Sequence, residues 1–499
     1  MRAAISLLLA CFAATAAAER APDVVLRGAL SGNDQHTYRE LPFDVPAGTT
    51  RITVDVDYTG RDEKTTLDLG LLGPGGFAEQ DGFRGWSGGS KHRFTVSATD
   101  ATASFLPGAI QPGMWRVLLG IPNIRAASKA TYTAKVWLSG EDEGFGPEHG
   151  LSAPLATGDR WYRGDLHMHT AHSDGGCPNA TGTKKVLCPL FLTVANAAKR
   201  GLEFIAISEH NTMSQVSEMR ELQPYFDTML MIPAREITTF EGHANLFGVS
   251  RPLDFRVGSK QVPDWSALLA DVKRAHGLIS INHPLRPNDE TCMGCGFTPH
   301  DTVDMHGFQA IEAINGRDAE RADSGIPFWE RRLDTGLRIT AIGGSDSHDG
   351  SDAPRDALAG VLGTPTTVVH ARELSMEGIL DGIRAGHVFV DAEGTKDRVL
   401  DVRATVAGSD GAAGMGDAVS VAAGRTLEVA VHTVAVVGQR VVVSDNGKPF
   451  AVPAGGVVPA SGDIGFEWKG DGKPHWLRVD VRSPDGKLLL LGNPIYITP

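Results

Sequence analysis

The segment Asp165-Leu166-His167-Met168-His169 sets two imidazoles and a carboxylate close together in the chain. In an extended backbone, side chains at i and i+2 point to the same side, so His167 and His169 aim at one point with Asp165 beside them. Neutral imidazole and carboxylate are ligand types for a divalent ion such as zinc, manganese or iron. Ser173-Asp174-Gly175 then bends the chain and returns a further carboxylate toward the same pocket. The run before it, Trp161-Tyr162-Arg163-Gly164, reads as a strand, so the paired histidines are expected at a strand end.

Ligand-capable residues recur in the same setting downstream. The apolar run from Phe204 to Ser208 leads into Glu209-His210-Asn211, and that from Met229 to Arg235 leads into Glu236. His243 opens the run Ala244 to Val249, Ile279 to Asn282 leads into His283, and Arg338 to Ile342 leads into Gly343-Gly344-Ser345-Asp346-Ser347-His348. Helices are expected between them, over Leu190 to Arg200 and Trp265 to His276. Polar groups at the carboxyl ends of successive strands are the pattern of a barrel with its site at one mouth. Ten of the 17 histidines lie between His167 and His348, which favours one polynuclear metal site over scattered core histidines.

Around this half the pattern is all β. Residues 22–140 alternate in short segments such as Arg51 to Asp57 and Trp115 to Leu119, with Gly/Pro turns between them, as in a sandwich. Residues 141–157 are acidic and rich in Gly and Pro, a linker. The metal-bearing half spans 158–395, and 396–499 returns to strands as a second sandwich. A Gly-x-Ser-x-Gly at Gly85 to Gly89 lacks the strand-to-helix setting of a nucleophile.

The first 18 residues read as an export signal: Arg2, the apolar run Ile5 to Phe12, then Ala14 to Ala18. Periplasmic or secreted location follows, with a lipoprotein anchored at Cys11 as the rival reading. No later run is long and apolar enough to cross a bilayer. Four cysteines remain after the signal, and an oxidising compartment favours the disulfides Cys177–Cys188 and Cys292–Cys295. The alternative is a structural zinc at Cys292, Cys295, His300 and His306. At 499 residues the chain has room for about three domains. A net charge of -13 argues against nucleic acid as a partner.

Taken in order, H-x-H with S-D-G, then E-H-N, A-R-E, G-H-A-N-L-F-G, N-H-P and G-S-D-S-H resemble the PHP (polymerase and histidinol phosphatase) superfamily. The Gly164 to His167 opening and the Gly-Ser-Asp-Ser-His close are most similar to its CehA/McbA-like branch. The resemblance covers residues 160 to 395 and implies a distorted (β/α)7 barrel, flanked here by the two β-sandwiches. It implies two or three divalent metal ions: His167, His169, Glu236 and Asp346 on the first, Glu236, His243 and His283 on the second, Asp174, His210 and His348 on the third. The chain departs from the pattern where Glu209 replaces a common Asp, and where Thr366 stands in place of an arginine common after Gly-x-Pro.

The chemistry implied is hydrolysis by a metal-bound hydroxide. His172 is a candidate additional ligand or proton carrier, and Arg286 and Arg317 are candidate anchors for an anionic substrate. The first function expected is a phosphoesterase acting on a small phosphomono- or diester. The second is a carbamate or carboxyl-ester hydrolase of the carbaryl-hydrolase type. The third is a non-catalytic protein whose sandwiches contact glycans or a cell surface.

Overall fold

The computed structural model describes residues 20–79, 82–140, 154–288, 294–351 and 360–499. The export signal, most of the linker and Cys292 lie outside the described residues.

Two four-stranded antiparallel sheets form the N-terminal region. Strands Val24–Ser31, Lys129–Ser139, Arg51–Tyr58 and Arg93–Ser97 make one; Thr37–Val45, Gly113–Asn123, Thr66–Leu72 and Phe83–Gly88 make the other. Alternation decides which residues they share: Ile52, Val54, Phe94, Trp115, Val117 and Leu119 meet in one core.

A third sheet carries the candidate ligands. Its strands run in the order Thr340–Gly344, Ala310–Asn315, Leu278–Ile281, His243–Phe247, Leu230–Thr238, Phe204–His210, Ala156–Asp165, Thr366–Leu374 and Val388–Asp391. The sheet curls until its first strand meets the chain just past Asp165. Asp346 N donates to His167 O and His169 N to Ser347 O, each at 2.9 Å. Those two bonds set the last ligand segment against the first.

Strands and helices do not alternate throughout as in a (β/α)7 barrel, and the described residues are largely sheet. His243–Phe247 runs antiparallel to both its neighbours, because residues 239–242 are too few for a crossover helix. Between Leu278–Ile281 and Ala310–Asn315 the described residues hold only the 3-10 turn Met305–Gly307. Five α-helices are described: Leu190–Lys199, Val216–Leu222, Trp265–Arg274, Ile326–Leu333 and Met376–Arg384. Trp265–Arg274 shows why one forms. Asp264 caps it by accepting from Ala267 N, and Trp265, Leu268, Leu269 and Val272 bury one face at helical spacing.

The same sheet continues beyond residue 395. Val388–Asp391 pairs with Leu488–Gly492, which leads on to His475–Arg482, Arg440–Asp445 and Lys448–Phe450. A separate sheet of Ala412–Gly414, Val399–Val406, Thr426–Val434 and Asp463–Lys469 packs with it. Their common core takes in Phe389 as well as Val402, Val429, Val479 and Leu490.

Candidate metal centre

His167 and His169 follow the strand Ala156–Asp165 in extended backbone, and both are fully buried. His167 Nε2 lies 3.4 Å from Glu236 Oε2 and 3.3 Å from Asp346 Oδ1. His169 Nε2 lies 3.5 and 3.3 Å from the same two oxygens. An ion bound at about 2.0–2.1 Å in tetrahedral geometry separates its ligand atoms by about 3.3–3.4 Å. The four nitrogen–oxygen separations are those of ligand atoms around one ion.

Glu236 lies near the end of the strand Leu230–Thr238, and its other oxygen faces a second group. Oε1 lies 3.2 Å from His243 Nδ1 and 3.3 Å from His283 Nε2. His210 Nδ1 also stands 3.0 Å from Oε2, so one carboxylate presents Oε1 to two histidines and Oε2 to three, the disposition of a bridging ligand. A third group is more open: Asp174 Oδ1 lies 3.4 Å from His348 Nε2, 3.7 Å from His210 Nε2 and 4.0 Å from His169 Nδ1.

The electrostatics follow from acids shared among imidazoles. Burial by itself would raise the Glu236 and Asp346 carboxyls, but the surrounding histidines hold both well below the usual range. Burial opposes protonation of His167, yet Asp346, Glu312 and Glu236 outweigh it and hold the ring well above its ordinary value. His348, beside Asp174 and Asp346, is pushed up to about 9 despite its burial.

Divalent ions fit this donor set. The Nε2 atoms of His167 and His169 are buried without a hydrogen-bond partner, a costly state for a polar atom unless something coordinates it. Four groups of potential ligands occur among the described residues; three comprise only His, Asp and Glu side chains named above. The fourth joins His243 and His283 to Cys295, whose sulfur is already in a disulfide.

Strained backbone occurs at the cluster. Among residues with positive φ are Asn211 at 52°, His283 at 26° and Asp346 at 52°, conformations that non-glycine residues adopt rarely and that surrounding structure must hold. Gly344 is bare for a different reason: a Cβ there would meet His167 Cβ at 2.3 Å.

Several expected site residues lie elsewhere. The Asp165 carboxylate does not join the cluster; it accepts from the backbone N–H groups of His167, Ser345 and Gly363 and ties three chain segments together. His172 turns its ring nitrogens to Ser214 Oγ at 2.8 Å and Glu218 Oε2 at 3.1 Å. Arg286 donates to Asn315 Oδ1 at 3.0 Å and lies 3.4 Å from Asp318. Arg317 is exposed. The alternative structural zinc does not form, since Cys295 is in a disulfide and His300 and His306 pair with Glu241 and Asp304. Cys177 and Cys188 are bonded to each other. Glu209 accepts from Thr170 N at 3.1 Å and Ser173 Oγ at 2.5 Å, pinning the loop that carries Asp174.

Sequence reasoning missed the residues behind the ligands. Glu312 touches His167, Asn282 Nδ2 donates to Glu236 Oε1 at 2.9 Å, and Asn315 Nδ2 reaches Asp346 Oδ2 at 3.3 Å. The available signal was a lone acid inside an apolar strand, Ala310-Ile311-Glu312-Ala313-Ile314.

No family model matches the chain, and no curated protein matches it. Among solved structures, it is similar to a two-domain protein from Bacteroides vulgatus described as containing a predicted PHP-like metal-dependent phosphoesterase. The TM-score is 0.36 at 18% identity, over 69% of this chain and 97% of that chain. An overlap that loose defines neither fold nor chemistry.

Proposed function

We propose that the chain is an exported metal-dependent hydrolase acting on a small phosphomono- or diester. The observation that carries this reading is Glu236, whose two oxygens stand 3.0–3.5 Å from separate sets of histidine nitrogens. Zinc, manganese or iron would be held by His167, His169, Glu236 and Asp346, by Glu236, His243 and His283, and by Asp174, His210 and His348. Bound there, such ions would supply Lewis-acid polarisation of a phosphoryl or carbonyl oxygen and acidify water near neutral pH.

The protein's own groups have definable parts. Glu209 fixes the loop from Thr170 to Asp174, and Asn282 and Asn315 fix the carboxylates of Glu236 and Asp346. Arg286 braces Asn315, which in turn reaches Asp346, while its guanidinium faces Asp318 and Asp323. The ordered motifs shared with the PHP superfamily support the same chemistry.

A carbamate or carboxyl-ester hydrolase is the second reading, favoured by Phe240. That ring is 84% exposed in the turn between the strands carrying Glu236 and His243, where an aryl group could rest on it. Export is supported by the Cys177–Cys188 disulfide. Among the described residues no helix is long and apolar enough to cross a membrane.

The test is turnover by the purified chain loaded with manganese, zinc or iron. It would be offered p-nitrophenyl phosphate, bis-p-nitrophenyl phosphate, an aryl acetate and an aryl methylcarbamate. Phosphoester turnover lost on chelation supports the first reading, and ester or carbamate turnover alone selects the second. Ions bound tightly with no turnover on any substrate would leave a binding protein.

A further inference from the structure

Glu312 is a buried carboxylate, 2% exposed, in the strand Ala310–Asn315. A register shift against the neighbouring strand falls between Glu312 and Ile314, and such irregularities re-aim side chains. Both carboxylate oxygens are engaged. Oε1 lies 2.9 Å from His167 Nδ1, while Oε2 accepts from His283 N at 2.9 Å and from Asn315 Nδ2 at 3.0 Å.

We infer that Glu312 is a positioning residue that sets the aim of His167 and His283, one histidine from each side of Glu236. This rests on the metal-centre reading above. A histidine whose Nδ1–H is held by a carboxylate keeps its Nε2 lone pair available and its ring fixed. For His167 that nitrogen is the one 3.3 Å from Asp346 Oδ1 and without a hydrogen-bond partner. For His283 the hold is on the backbone. Its φ of 26° is unfavourable for a residue with a side chain, and the Glu312 bond secures the amide in that state. The ring is then set by Nδ1 at 3.0 Å from Cys295 O, leaving Nε2 toward Glu236 Oε1. Asn315 extends the same carboxylate's influence to Asp346. Gly344 leaves the space, since a Cβ there would come within 2.7 Å of Glu312 Oε1.

The experiment measures ion uptake rather than turnover. Chelator-stripped wild type, Glu312→Gln, Glu312→Ala and Glu312→Asp would be titrated with zinc against a chromophoric chelator. Their cobalt absorption spectra and melting temperatures would be recorded in parallel. Expected is a loss of zinc affinity of about 10- to 100-fold in Glu312→Gln, with an altered cobalt spectrum and partial recovery in Glu312→Asp. If Glu312→Ala does not fold, Glu312→Gln decides. Zinc affinity within twofold of wild type with an unchanged cobalt spectrum overturns the inference, even if the melting temperature falls. Wild type that takes up neither zinc nor cobalt overturns the hydrolase reading, and this inference with it.

Discussion

Arg220 Nε donates a 2.6 Å hydrogen bond to Asp100 Oδ2, joining the helix Val216–Leu222 to the N-terminal sheets. Arg51 reaches the same carboxylate from the strand Arg51–Tyr58, and Asp100 itself is fully buried. Burial would raise the Asp100 carboxyl, but Arg220 and Arg51 outweigh it and hold it far below the usual range. Asp100→Ala leaves two guanidiniums buried without their acid and should cost about 3–5 kcal/mol in urea unfolding at neutral pH. A group depressed in the folded state contributes stability above its unfolded value and loses it as the folded state is forced to take up a proton. Wild type should therefore lose its advantage over Asp100→Asn as the pH falls below about 4. An advantage that grows in acid would contradict the pairing.

Glu236 faces histidines with both its oxygens, whereas Asp174 serves one open group. Glu236→Gln should release at least two equivalents of bound ion, and Asp174→Asn one, as counted by elemental analysis. Turnover in Glu236→Gln should drop at least about 100-fold, in line with the loss of metal assistance to charge development. Equal ion loss in the two variants would show that the groups are not separate.

His172 offers a sharper contrast. With its nitrogens turned to Ser214 and Glu218, His172→Ala should keep its full ion content and lose less than about tenfold in kcat. A fall of about 100-fold or more would restore it as the proton carrier expected from the sequence.

The Cys177–Cys188 bond spans a sequence separation of 11 and sits beside the third group, since Cys188 N donates to Gly175 O and Gly176 N to His348 O. Loop closure of that length stabilises a fold by about 3 kcal/mol. Cys177→Ser plus Cys188→Ser should unfold at a lower urea concentration and bind its weakest ion less tightly, with the remaining ions unaffected. Calorimetric ion titration of both proteins reads this directly.

The ligand set was legible because each histidine or acid closes or opens a short apolar run, and chain order alone brought them to one list of strand ends. Glu312 was hidden by the same rule: it lies inside such a run, where a pattern built on ends does not look. Spacing places Asp165 beside the paired histidines but does not reveal that three backbone N–H groups engage its carboxylate. The helix-strand alternation and the family resemblance suggested a distorted barrel. The turn at residues 239–242 overrules it locally, and nothing periodic in the sequence announces that Phe389 will pair with Gly492 a hundred residues later.

That last pairing decides how the protein can be cut. Removing everything after residue 395 would strip Val388–Asp391 of its neighbour Leu488–Gly492 and uncover Phe389, which is fully buried. A raw strand margin with unpaired amides recruits other chains. Expression of the ligand-bearing half alone is therefore headed for clumping, and the tail is a seam of the protein rather than an appendage to it.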